Sequence, residues 1–127
     1  MKKILLSLLL LTSLPVCAQG WVRYADNDAG TMYFDSLRTR KMGDTAFVWD
    51  LHDLKAGAKD EAGLSYRSTL YATEYNCRSR QRRVLSAARY AEPMGKGSIS
   101  SEISMVSAWS EALPDSLPGQ LFNHICE

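Results

Sequence analysis

Leu64-Ser65-Tyr66-Arg67-Ser68-Thr69-Leu70-Tyr71-Ala72-Thr73-Glu74-Tyr75-Asn76-Cys77 is the stretch that decides the fold. It is rich in threonine and tyrosine and contains neither glycine nor proline, so it reads as one long strand. Alternation sets Tyr66, Leu70 and Ala72 on one side and Arg67, Thr69, Tyr71, Tyr75 and Cys77 on the other. Neither side is cleanly apolar, and the pattern leaves open which one is buried.

The cysteine that ends this strand has one partner to choose from. Cys17 falls in an N-terminal segment with the order of a secretory signal: Lys2 and Lys3, an apolar run from Ile4 to Leu11, then Val16-Cys17-Ala18. Cleavage after Ala18 removes Cys17 and leaves 127 − 18 = 109 residues, the size of one domain. The competing reading is a lipid anchor on Cys17, which would tether the protein to a membrane. Under either reading Cys77 and Cys126 form the internal pair, and an oxidising compartment favours a disulfide over a metal site. The closed loop spans 126 − 77 = 49 residues.

Trp21 to Tyr24 and Thr31 to Phe34 read as strands joined through the turn Asp26-Asn27-Asp28-Ala29-Gly30. Ser36 to Gly43 reads as a connection with a helical turn. Thr45 to Leu54 alternates again, with Phe47, Trp49 and Leu51 on one face and Val48, Asp50 and His52 on the other. The second face is polar, which predicts a sheet with that side wet and with Trp49, like Trp109, in the core. Lys55 to Gly63 reads as an exposed loop.

After the strand that ends at Cys77, Arg78 to Arg83 reads as a charged turn running into a strand over Val84 to Tyr90. Ala91 to Ser98, with one proline and two glycines, reads as a bend, and Ile99 to Met105 as an edge strand able to pair across a homodimer. Ser116 then stands as an N-cap, with Pro118 in the first turn and Leu117, Leu121, Phe122 and Ile125 on one helical stripe. The fold class is therefore α+β: an antiparallel sheet of about six strands with one C-terminal helix, tied by the disulfide.

Setting aside Lys2 and Lys3, the 15 basic residues fall to one fewer than the 14 acidic ones, so no global basic field exists for nucleic acid. No stretch beyond the leader is long enough for a transmembrane helix. Arg78, Arg80, Arg82 and Arg83 form the densest charge cluster, and alternation on a strand would turn the first three to one side. Guanidinium groups bind sulfate and carboxylate through paired donors, so with Tyr71 and Tyr75 this region is a candidate binding face for protein or sulfated glycan. A solvated hairpin is the alternative. No cofactor, metal or catalytic centre is expected: His52 and His124 lie far apart, and the carboxylates flanking His52 lack a nucleophile motif.

Taken in order, Trp21-Val22, Tyr33-Phe34-Asp35-Ser36, Val48-Trp49-Asp50-Leu51, the serine-led strand to Cys77, Arg83, Tyr90, Gly95, Gly97, Trp109, Pro114-Asp115-Ser116 and Cys126 resemble the bacterial surface-adhesin protein E family. The resemblance spans residues 19–127 as a single domain. It implies an antiparallel sheet with a C-terminal helix, a place in the periplasm or at the cell surface, and binding of extracellular matrix or plasma proteins. The alternative is a soluble periplasmic domain with a structural or small-ligand role.

Overall fold

The computed structural model describes residues 20–127. The expected leader over residues 1–18, including Cys17, lies outside them. The strands are β1 (Trp21–Asp26), β2 (Gly30–Asp35), β3 (Arg40–Met42), β4 (Thr45–Lys59), β5 (Ser65–Asn76), β6 (Gln81–Tyr90), β7 (Ile99–Ile103) and β8 (Ser110–Glu111), followed by helix α1 (Leu117–Cys126). All pair antiparallel in one sheet of order β1-β2-β4-β5-β6-β7.

Six lanes hold eight strands. On the edge of β4 away from β5, β2 pairs with Asp50–Leu54 and β3 with Thr45–Phe47. On the outer edge of β6, β7 and β8 divide the lane in the same way. The expectation of about six strands therefore falls short by the two shortest elements. β3 replaces the helical turn expected within Ser36–Gly43: Met42 pairs with Thr45 across Gly43, whose φ of 60° is in the left-handed region.

The expected loop at Lys55–Gly63 also shortens. β4 runs on to Lys59 through a register shift after Asp53, because Ala58 and Lys59 find partners in Tyr66 and Ser65. Available ladder partners override the weak strand propensity of Lys-Ala-Gly-Ala-Lys.

α1 lies on the face formed by Ala46, Val48 and Asp50 of β4 and by Thr73 and Tyr75 of β5. Leu121, Phe122 and Ile125 pack there with Tyr24, Met32, Phe34, Ala46, Val48 and Tyr75. This is the side expected to be wet, and the assignment is reversed. Asp50 is tolerated inside because it is hydrogen-bonded, whereas among the described residues the aromatic side opposite has no layer over it beyond a short turn. Trp49 and Trp109 are accordingly half-buried and outside the main core.

Ser116 caps the helix as expected, its Oγ accepting from the Gly119 amide at 3.3 Å. A Cβ at Gly119 would collide with the Leu113 carbonyl, so the chain folds against the first helical turn as closely as glycine permits. At the other end Cys126 is bonded to Cys77, with Cα atoms 5.4 Å apart. The tie fixes the last helical turn to the end of β5.

On the opposite face, the turn Pro93–Gly95 covers Leu51. Ser68 pins it, accepting from the Gly95 amide at 2.8 Å and donating to the Glu92 carbonyl at 2.7 Å. Asp53 accepts from the Met94 amide at 2.9 Å. The two carboxylates beside His52 in sequence thus face opposite sides of the sheet.

Candidate functional site

Two of the concavities among the described residues lie on opposite faces of the sheet. The first lies on the face without the helix: a groove of ≈ 550 Å³ lined by Arg38, Arg40, Met42, Thr45, Phe47, Trp49 and Glu74. Alternation of β4 supplies its aromatic floor, where Phe47 and Trp49 meet edge to face at 5.5 Å. Arg38 crosses that floor, 5.3 Å from the Trp49 ring and 5.9 Å from the Trp21 ring, and its Nε donates to Asp35. Arg40 and Met42 come from β3 and stand exposed on the rim. Paired cationic and aromatic side chains of this kind offer contact area at low entropic cost.

The second is a cavity of ≈ 320 Å³ between the sheet and the start of α1, lined by Asp50, His52, Tyr71, Thr73, Tyr75, Arg82, Val84, Leu117 and Pro118. A hydrogen-bonded group forms one wall. Tyr24 donates to Asp50 Oδ1 at 2.6 Å, and His52 Nε2 lies 3.2 Å from Asp50 Oδ2. The His52 ring rests on the edge of Tyr71 with centroids 4.8 Å apart. Burial, reinforced by the Asp50 charge, raises the phenols of Tyr24, Tyr71 and Tyr75 above their ordinary value. All three therefore remain donors at neutral pH.

The six residues expected to bind are brought together only in part. Tyr71, Tyr75 and Arg82 converge on the helix–sheet cavity. Tyr75 is 1% exposed, so it belongs to the core and presents no external face. Arg78 and Arg80 sit in the turn over residues 77–80 rather than on a strand, and strand alternation does not gather them with Arg82. Arg78 is exposed, 4.0 Å from Asp44, and Arg80 lies over Phe122 at 4.3 Å. Arg83 points to the other face, held by Glu74 through bonds of 2.9 and 3.1 Å and stacked 4.6 Å from Trp109.

Sequence reasoning passed over Arg38, Arg40 and Met42. The pattern Arg38-x-Arg40-x-Met42 repeats every second residue, which is the spacing of a short strand. It was obscured because β3 has no strand propensity of its own and exists by pairing with β4.

The sequence profile of the surface-adhesin protein E family matches residues 21–127. Crystal structures of protein E from Haemophilus influenzae superpose on the chain. One, at 18% identity, has a TM-score of 0.68 and covers 84% of this chain and 83% of that one. A second crystal form, also at 18% identity, gives 0.69 with 84% and 87% covered. Protein E from a non-typeable strain, at 19% identity, gives 0.67 with 84% and 75%. No curated protein sequence matches the chain.

Proposed function

The chain belongs to the surface-adhesin protein E family, and we propose that it is an exported binding module whose open sheet face docks an extracellular protein. Membership in an adhesin family points to binding rather than catalysis. The observation that carries the docking face is the groove over Phe47 and Trp49. It combines an aromatic floor crossed by Arg38 with a rim of Arg40 and Met42, the latter 79% exposed. Such a surface suits a protein segment that places an apolar side chain beside a carboxylate. Matrix or plasma proteins are the expected class, and export proceeds through the leader at residues 1–18, by cleavage after Ala18 or lipidation of Cys17.

Two measurements test this reading. Protease added to intact cells should digest the protein. The double variant Arg40→Ala/Met42→Ala should lose most of its retention on immobilised basement-membrane extract, while its stability stays within about 0.5 kcal/mol because both side chains are exposed. Protection on intact cells, or undiminished retention of the variant, would overturn it. Retention on heparin alone, lost in the same variant, would assign the groove to sulfated glycan instead.

A further inference from the structure

Arg82 lies beneath the helix and carries a guanidinium nitrogen that has no partner among the described residues. Arg38 pairs with Asp35 and Arg83 with Glu74, and Arg78 lies 4.0 Å from Asp44. Among the described residues no carboxylate lies within ion-pair distance of Arg82, and its Nε is buried without a hydrogen-bond partner. A buried donor left unpaired is unfavourable, and such groups in native structures call for a specific explanation.

The surroundings supply one. Arg82 lines the helix–sheet cavity with Tyr71 and Tyr75, whose hydroxyls make no hydrogen bond to another described residue. Asp50, by contrast, is engaged through both oxygens, by Tyr24 and His52. Two hydroxyl donors without acceptors and the Arg82 guanidinium thus share one cavity, and Val84, Leu117 and Pro118 give it an apolar wall.

We propose that this cavity binds a small organic carboxylate, its oxygens held by the Arg82 guanidinium and the hydroxyls of Tyr71 and Tyr75. A planar guanidinium matches the two oxygens of a carboxylate. The Asp50 charge on the same wall disfavours a phosphate dianion. The apolar wall and the ring edges of His52 and Tyr71 suit a hydrocarbon or aromatic body. At ≈ 320 Å³ the cavity stands near the low end of the roughly 300–1,000 Å³ typical of small-molecule sites. The site is independent of the open groove, which lies on the other face of the sheet.

Benzoate is the probe, with benzamide as its uncharged counterpart and inorganic phosphate as the anion control. In chemical-shift titrations of the disulfide-bonded protein, benzoate should produce saturable shifts at Tyr71, Arg82 and Leu117. Benzamide and phosphate should bind at least about tenfold more weakly. Arg82→Gln should weaken benzoate binding by about tenfold or more. Tyr71→Phe, which keeps the ring and removes only the hydroxyl, should weaken it severalfold and serves if the first variant does not fold. An equal response to benzoate and benzamide, no saturable response to benzoate, or benzoate affinity unchanged in a folded variant overturns the proposal. Phosphate binding as tightly as benzoate overturns the choice of a carboxylate.

Discussion

Reduction of Cys77–Cys126 should lower the thermal midpoint steeply. The bond spans 49 residues and joins the end of β5 to the last turn of α1. Releasing a loop of that length returns roughly 4 kcal/mol of conformational entropy to the unfolded chain at 25 °C. For a chain of this size the entropy of unfolding is roughly 0.2 kcal/mol per kelvin, so the midpoint should fall by about 15–20 °C. The reduced protein should still fold in the cold, since Leu121, Phe122 and Ile125 stay buried against the sheet. Its helix should loosen first, because an isolated ten-residue helix does not persist in water. The assay is a near-ultraviolet circular-dichroism melt with and without reductant, with thiol labelling and mass to verify that the bond has opened. Amide exchange across Leu117–Cys126 should accelerate more than in β4 and β5. A midpoint that does not move in fully reduced protein would refute the reasoning, since the restriction of the unfolded chain would then contribute nothing.

Alkaline pH should destabilise the fold through Tyr24 and Tyr75. Both phenols are raised in the folded state, chiefly by burial, so their contribution is intact below the unfolded value of about 10 and is lost as pH rises beyond it. Together they should remove up to about 2.7 kcal/mol per pH unit above that value, read by denaturant titration alongside tyrosinate absorbance; a flat stability through this range would contradict their burial. Gly119→Ala should cost about 1–3 kcal/mol in the same titration, because the added methyl must displace the Leu113 carbonyl. A neutral result would mean that the turn before α1 yields easily.

Much of the fold is legible in the residues themselves. β5 begins and ends within one residue of the predicted strand, the helix starts at the cap Ser116 provides, and the cysteine pairing follows from the count. The edge position of β7 follows from its alternating, serine-rich sequence. Short strands are less visible: β3 is held by the next strand through a tight hairpin and β8 by residues 81–82, distant in sequence, and nothing in their own side chains demands a strand.

The candidate sites divide along the same line. That Arg82 and Arg83 face opposite ways is inherent in their adjacency on a strand. Where each points is not. Arg83 meets Glu74 and Trp109 on the open side, and Arg82 meets Tyr71 and Tyr75 beneath the helix.

The sequence alone determined the two alternating faces of β4 and β5, because side-chain direction on a strand has a period of two whatever the surroundings. Only the tertiary structure decided which face the helix covers. The polar content of the Val48-Asp50-His52 side argued for solvent, but Tyr24, 26 residues before Asp50, brings a hydroxyl to that carboxylate and makes its burial tolerable. Hydrogen-bond satisfaction is a property of what the fold brings close, and no count of polar residues along one strand contains it.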